Sequence, residues 1–144
     1  MLELNDKVVS SNISRFQIFI KDTDNFDIEG ILYNDTYDII LDFNGIKDFL
    51  GVLDDFFDYV NFPQASHEKR SFDERKKKGE DKPPLTMRKP VSGELSGKKP
   101  VFILHVQFRQ HSTWQGTLHW IAENKTKRFR SELEMIRLLA EALS

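Results

Sequence analysis

The chain contains no cysteine among its 144 residues. This absence excludes disulfide bonds, thiolate zinc sites and a cysteine nucleophile. Long apolar runs are also missing: no stretch approaches the roughly 18 residues of a membrane-spanning helix, and the first residues are acidic instead of forming a basic, apolar leader. We therefore expect a soluble, cytoplasmic protein that makes no contact with a membrane.

Motifs of the common enzyme classes are absent as well. The chain has no glycine-rich phosphate loop, no G-x-S-x-G, no H-E-x-x-H and no D-x-D-x-D-G pattern. Carboxylates are plentiful, but their spacing does not single out a pair for acid–base catalysis. We expect a protein that is not an enzyme and that uses no cofactor.

Charged residues, in contrast, are abundant and unevenly distributed. They make up 31% of the chain, and the formal net charge is −2. Residues 1–63 hold 4 basic and 13 acidic residues, residues 64–99 hold 11 and 6, and residues 100–144 hold 6 and 4, which gives −9, +5 and +2. This asymmetry predicts that the two ends of the chain face different partners or each other.

Residues 100–144 carry the clearest pattern of secondary structure. Apolar and polar residues alternate with a period of two over 102–109 and again over 114–121, which predicts two antiparallel strands. A more polar third strand is expected at 125–129. An S-x-x-E capping box and an apolar stripe at helical spacing then predict a helix, formed by Ser131, Glu134 and by Leu133, Ile136, Leu139, Ala140 and Leu143.

The same order of elements is predicted in the acidic first segment. Three strands are expected at 16–21, 28–32 and 37–43. A helix with an apolar stripe follows, with Asn44 as its N-cap. Gly51 lies on the polar face of this helix, where glycine lowers helix stability by about 1 kcal/mol relative to alanine.

The two segments align without a gap at an offset of 86 residues. Strand parity, a mid-strand glycine and the apolar helix stripe all keep register, through the pairs Phe16 and Phe102, Ile28 and Trp114, Gly30 and Gly116, Leu32 and Leu118, Phe43 and Phe129, Leu50 and Ile136, and Leu53 and Leu139. We therefore predict an internal repeat and an α+β fold of two tandem βββα units, with antiparallel sheet packed on two helices. The units form either one continuous six-stranded sheet with both helices on one side, or a pseudo-twofold pair within one compact domain.

Residues 64–99 form a charged linker between the units, with almost no apolar pattern. We expect its last part, residues 85–91, to run extended along the folded body with Met87 and Val91 as anchors. The linker also contains a basic run that could contact phosphate, Arg75, Lys76, Lys77 and Lys78. A run so interleaved with acidic residues is more often a solvated segment.

Two histidines, His105 and His119, are predicted on the same face of neighbouring strands. A zinc site needs three or four ligands, and only Glu123 lies nearby, so we expect no metal site. The aligned residues of the first unit are Phe19 and Tyr33, so planar side chains recur there whether or not they can bind a metal. Either this face is covered by the other unit or by the linker, or it is a platform on which bases stack. Trp114 and Trp120, which share the parity of Phe108, are expected in the core.

The platform hypothesis combines ring side chains with cations, as single-stranded nucleic-acid binding requires. Its candidate residues, besides the basic run of the linker, are His105, Arg109, His119, Lys125, Lys127, Arg128 and Arg130. Two tandem sheet-then-helix units resemble the layout of the Whirly and PUR-repeat families, a likeness that favours this function. Those families have four strands per unit where three are predicted here, and their residue signatures do not match, so no site residues carry over.

Two alternatives remain open. The acidic first segment could dock on a basic protein that handles nucleic acid and inhibit it, since complementary electrostatic fields speed encounter. Its candidate residues are Asp42, Asp54, Asp55 and Asp58. The protein could instead be an oligomeric structural subunit whose outer sheet face is the interface between copies.

Overall fold

A computed structural model of the chain describes residues 11–22, 27–63 and 86–144. These residues form an antiparallel seven-stranded sheet and two α-helices, which confirms the α+β class. No helix in these ranges is long and apolar enough to cross a membrane. The elements in chain order are a 3-10 helix (Ser11–Ser14), β1 (Arg15–Asp22), β2 (Glu29–Asn34), β3 (Ile39–Asn44), α1 (Ile46–Val60), β4 (Met87–Arg88), β5 (Phe102–Phe108), β6 (Gln115–Trp120), β7 (Lys125–Phe129) and α2 (Glu132–Leu143).

The strands lie in the order β4-β3-β2-β1-β5-β6-β7, so the sheet is continuous. Its centre is the antiparallel pairing of β1 with β5, in which Phe16 lies opposite Leu104 and Ile18 opposite Phe102. Of the two predicted arrangements, the single sheet is the one observed. It has seven strands where six were expected, because the short β4 pairs with β3 at one edge.

Both helices pack on one face of this sheet, here called the inner face. Alternate strand residues point to opposite faces, so the apolar set of each strand meets the helices. The predicted inward residues Phe16, Ile18, Leu32, Phe43, Phe102, Leu104, Leu118 and Phe129 all belong to this one core, together with Phe49, Leu53, Phe56 and Phe57 of α1 and Met135 and Leu139 of α2. Each large side chain removed from water contributes roughly 1.5–3 kcal/mol to folding.

The opposite, outer face is covered near β2 and β3 by the chain that follows β4. Leu95 packs against Phe19, Ile31 and Ile40 there. The guanidinium of Arg88 holds this segment in place, because it donates to a carboxylate of β3 and to one within the covering segment itself, at 2.7 Å to Asp42 Oδ2 and 2.6 Å to Glu94 Oε2. The predicted anchor Val91 is instead 65% exposed. Leu95 has that role because it lies in the turns that cross the sheet.

The two helices begin in different ways. Ser131 caps α2 as predicted, since its Oγ accepts a hydrogen bond from the Glu134 N–H at 3.1 Å. The predicted cap Asn44 of α1 is wrong: Asn44 is the last residue of β3, and the N-cap is Gly45. Asp27 supplies the missing acceptor, because its Oδ1 lies 2.6 Å from the Ile46 nitrogen. A carboxylate at this end of a helix also interacts favourably with the helix dipole.

The predicted alternation fails at the end of β5. The pairing with β6 is irregular between Val106 and Phe108, as at a β-bulge, so the side chains beyond it change faces. Phe108, expected in the core with Trp114, lies opposite Gln115 and is 49% exposed. Arg109 turns inward instead and is only 5% exposed.

The buried Arg109 connects the end of β5 to the end of α1. Its guanidinium donates to Asp58 Oδ1 at 2.9 Å, to the Phe57 carbonyl at 3.3 Å and to the Pro63 carbonyl, and it stands 5.6 Å from the centre of the Phe57 ring. A cation at the C-terminal end of a helix meets its unpaired carbonyl groups. The same Phe57 ring packs edge-on against Trp114 at 5.3 Å, so Trp114 is a core residue as predicted.

Two glycines allow neighbouring strands to approach closely. A Cβ added at Gly30 would lie 1.9 Å from the carbonyl oxygen of Phe19, and one added at Gly116 would lie 2.0 Å from that of His105. Both obstacles are backbone atoms of the adjacent strand, so the strand itself would have to move. The mid-strand glycines that aligned in the sequence are therefore required by packing.

We predict that Gly30→Ala or Gly116→Ala lowers the free energy of unfolding by about 2 kcal/mol, because the new methyl group forces the paired strands apart. Gly51→Ala is the matched control. Gly51 lies on the exposed surface of α1 with no atom within 4 Å of an added Cβ. This change should raise stability by about 0.5–1 kcal/mol. Urea unfolding of the three variants measures both effects, and equal stability among them would contradict the role of the close approach.

A second prediction concerns the buried cation. Arg109→Met should lower the free energy of unfolding by roughly 3 kcal/mol, because the Phe57 carbonyl, the Pro63 carbonyl and Asp58 each lose a hydrogen bond from the buried guanidinium. Asp58→Asn should lower stability clearly less. The new asparagine keeps a side-chain oxygen as acceptor, the Asp58 side chain is 29% exposed, and Arg109 retains its carbonyl partners. Thermal and urea unfolding compare the two variants. If Asp58→Asn lowers stability as much as Arg109→Met does, the ion pair and not the carbonyl contacts would be the stabilising interaction, and the prediction would be wrong.

Candidate functional site

An open groove of about 480 Å³ crosses the outer face of the sheet in its second half. Its walls come from β5, β6 and β7 and from the 3-10 helix with the start of β1: Asn12, Arg15, Ile103, His105, Thr117, His119 and Thr126. None of the described residues that line it is a carboxylate. The groove therefore presents imidazoles, hydroxyls, an amide and a guanidinium to the solvent.

Strand alternation places these side chains. Leu104 and Val106 face the helices, so Ile103 and His105 face outward. In the β5–β6 register Ile103 lies opposite His119, and His105 lies opposite Thr117. The two histidines are therefore diagonal neighbours on one face, as predicted.

Each imidazole has a defined partner. His105 Nε2 lies 3.3 Å from the Ser11 carbonyl, to which its N–H can donate, and His119 Nδ1 lies 2.7 Å from Thr126 Oγ1. Burial lowers the pKa of His105 below its usual value; the hydrogen bond to Ser11 opposes this shift, and the positive charge of Arg15 adds to it. His105 is therefore a neutral ring at neutral pH.

Metal ligation has no support among the described residues. No three histidine or carboxylate side chains in ranges 11–22, 27–63 and 86–144 converge to hold an ion. The histidine pair of the groove has hydroxyl and carbonyl neighbours instead. Planar rings and hydrogen-bonding groups are what this face offers to a ligand.

The predicted cations of β7 lie on two different faces. Arg128 pairs with Thr117 and so shares the outer face with the groove. Arg130, just beyond the strand, has a side chain that is 90% exposed and stands 3.9 Å from Glu134. Lys125 and Lys127 point to the other side of the strand, where they line a separate groove beside α2.

Other predicted nucleic-acid contacts do not join the site. Arg109 is buried against α1, so it cannot meet a phosphate on the surface. The basic run Arg75, Lys76, Lys77 and Lys78 lies outside the described residues. The cations brought to the outer face beside the groove are therefore Arg15 and Arg128, and the exposed Arg130 lies just beyond the end of β7.

Sequence reasoning missed two notable residues of this face, Arg15, which lines the groove, and Phe108. Phe108 lies opposite Gln115 at the far end of the outer face, with about half its surface exposed. The Gln115 side-chain amide donates to the Arg130 backbone carbonyl at 3.4 Å, which connects the start of β6 to the chain just after β7. The available signal for Phe108 was the aligned residue of the first unit, Asp22, which is polar where a core position would be apolar.

The acidic candidates divide in the same way. Asp42 is paired with Arg88 at 2.7 Å, and Asp58 is paired with Arg109 at 2.9 Å, so both carboxylates take part in contacts within the protein. Asp54 and Asp55 lie exposed on α1. A basic partner would therefore meet chiefly these last two.

Comparison with known proteins gives no match to a family model, to a curated protein or to a solved structure. What the protein does is therefore to be inferred from the contacts, charges and exposed surfaces of its own residues.

We predict that stability falls as the pH is lowered below about 6.5, the usual pKa of histidine in an unfolded chain. The pKa of His105 is lower in the folded protein, so in that interval the unfolded state binds more protons and is favoured. His105→Phe should remove this part of the loss, because phenylalanine does not titrate. Urea unfolding at a series of pH values measures it, with the exposed His111→Gln as control. An unchanged pH dependence in His105→Phe would contradict the prediction.

Proposed function

We propose that this protein is a non-enzymatic binding protein that contacts single-stranded nucleic acid through the outer face of its second half. The observation that carries the proposal is the combination of rings and cations on one open sheet face around a groove whose described lining has no carboxylate: His105, Phe108 and His119 with Arg15 and Arg128. The exposed Arg130 follows just beyond the end of β7. Residues 64–85 of the linker, outside the described residues, hold 7 basic and 5 acidic residues and so add positive charge in the sequence.

Ring side chains on a sheet suit unpaired bases. Stacking of a base on a ring is worth roughly 1–3 kcal/mol and tolerates any sequence, since every base has a flat face. A duplex hides those faces within its own stack, so an open platform favours single strands. His105, neutral at neutral pH, fits this stacking role better than a role as a cation.

The arginines supply the second part of the interaction. A guanidinium can donate two parallel hydrogen bonds to a phosphate, and each phosphate neutralised releases counterions from the strand. Arg128 is exposed and lies opposite Thr117 of the groove, and Arg15 lines the groove itself. Binding should therefore weaken steeply as salt rises.

The alternative partner, a basic protein that handles nucleic acid, would be bound by α1. Its support is now limited to the exposed Asp54 and Asp55, because Asp42 and Asp58 are engaged by Arg88 and Arg109. Assembly through the outer face is the third hypothesis, and light scattering over a wide concentration range tests it. A monomer throughout would exclude that hypothesis.

We also propose that the two halves are an internal repeat at an offset of 86 residues. Strands β2 and β6 and helices α1 and α2 begin 86 residues apart. Adding 86 to every register pair of β1 with β2 gives a register pair of β5 with β6, and the irregularity before Asp22 recurs before Phe108. The left-handed residues Asp38 and Asn124, with φ of 58° and 50°, are separated by the same interval. Unrelated units would agree in none of these details except by coincidence.

Fluorescence anisotropy with a labelled single-stranded oligonucleotide tests the binding function. We expect saturable binding at low salt that weakens as salt rises, with a slope near 0.7 per phosphate contacted. The double variant Arg128→Glu/Arg130→Glu should abolish it. Phe108→Ala and His119→Ala should each weaken it roughly five- to a hundredfold, because each removes a ring on which a base can stack. Phe108→Ala should leave the salt slope unchanged, since phenylalanine carries no charge.

The matched control is Lys47→Glu/Arg137→Glu, which changes the net charge equally but on the exposed surfaces of the helices. It should retain most of the affinity. Absence of binding at low salt, or an equal loss in this control, would reject the proposed surface. If binding is absent and a basic protein is captured from the native cell and then lost with Asp54→Asn/Asp55→Asn, the alternative partner would be favoured.

A further inference from the structure

A second groove, of about 360 Å³, lies on the inner side of the sheet between α2 and the strands β6 and β7. Its apolar walls are Phe102, Leu118, Trp120, Leu138 and Ala142. Three charged side chains also border it, namely Lys125, Lys127 and Glu141. It thus differs in character from the polar groove of the outer face.

The corresponding region of the first half is filled. At the positions 86 residues before Lys125, Lys127 and Ala142 the chain has Ile39, Leu41 and Phe56, and all three are fully buried. The Phe56 ring packs edge-on against Phe16 at 5.5 Å. In the second half Phe102 takes the place of Phe16, but Ala142 has no ring to offer it.

The 3-10 helix completes the seal in the first half. Ile13 is fully buried there. The Asn34 amide holds this segment, since its nitrogen lies 2.7–3.0 Å from the carbonyl oxygens of Asn12, Ile13 and Arg15. The residue 86 positions after Asn34 is Trp120, whose ring lines the groove instead.

The two matching regions thus differ in three ways: Ala142 replaces the Phe56 ring, Trp120 replaces Asn34, and two lysines replace Ile39 and Leu41. Leaving an apolar floor uncovered forfeits dispersion contacts and keeps apolar surface in water. A ligand that takes the place of the missing ring has an apolar body of about phenyl size. The lysines at the border of the groove attract a negative charge on that ligand. Glu141 would repel a second negative charge, so the complementary ligand carries only one.

We propose that this groove binds a small amphipathic monocarboxylate. Its alkyl or aryl body lies on Phe102, Leu118 and Trp120, where Phe56 lies in the first half, and its carboxylate meets Lys125 and Lys127. The site is independent of the proposed nucleic-acid surface, because these lysines face away from the outer face.

The first experiment titrates octanoate into the ¹⁵N-labelled protein and follows amide shifts by NMR. We expect saturable shifts concentrated around Trp120, Lys127 and Ala142. Octylammonium, with the same chain and the opposite charge, should bind at least several-fold more weakly. Equal affinity for the two probes, or shifts that do not saturate, would overturn the proposal.

Variants locate the site. Ala142→Phe restores the ring found in the first half and should abolish octanoate binding, whereas Ala140→Phe adds the same ring at an exposed position of α2 and should retain it. Should Ala142→Phe not fold, Lys125→Gln/Lys127→Gln provides the second test: octanoate affinity should fall roughly two- to fivefold per lysine while octanol affinity is kept.

The remaining outcomes decide against the proposal. Octanoate binding that survives Ala142→Phe in a folded variant would place the ligand elsewhere. A dimer that Ala142→Phe dissolves, without octanoate binding, would assign the groove to a second copy of the chain. Oligonucleotide binding by Ala142→Phe should equal that of the unchanged protein, which separates this test from that of the outer face.

Discussion

The pairing of β1 with β5 is the constraint on which the rest of the structure depends. It places Phe16 opposite Leu104 and Ile18 opposite Phe102, and the Val101 N–H donates to the Ile18 carbonyl at 2.8 Å. Under the proposed repeat this register is self-complementary, since Leu104 aligns with Ile18 and Phe102 with Phe16. Without the β1–β5 pairing, these two apolar strands would each present an unpaired edge, which favours aggregation. With it, one inner face spans both halves and one core covers it.

Further contacts between the two halves of the sheet make each half depend on the other for its stability. The end of α1 reaches over the second half, where Phe57 meets Trp114 and Asp58 meets Arg109. At the other edge, the segment after β4 returns to cover the outer face of the first half through Leu95 and Arg88. No described residue covers the outer face of the second half in the same way.

Much of this arrangement was predictable because strand and helix periods are local properties. Alternation gave the strands and their inward residues, and Ser131 with Glu134 marked the start of α2. Strand alternation alone also puts Lys127 on the same face as Phe129, although the sequence prediction assigned Lys127 and Arg128 to one nucleic-acid surface. Three features depend on geometry beyond the local pattern: the bulge that exposes Phe108, the cap that Asp27 supplies from a distant turn, and the cover provided by Leu95 in place of Val91.

The uneven distribution of charge has a consequence for how the molecule moves. Among the described residues, 11–22 and 27–63 hold 3 basic and 10 acidic residues (−7), the segment 86–99 that covers them holds 4 and 1 (+3), and 100–144 hold 6 and 4 (+2). The sheet sets the strands of the two halves side by side. Asp42 and Arg128, 86 residues apart, even carry opposite charges at corresponding positions. Such a separation gives the protein an electric dipole moment along the sheet. In the field of any polyanion the molecule would be turned during diffusion, so that its second half arrives first.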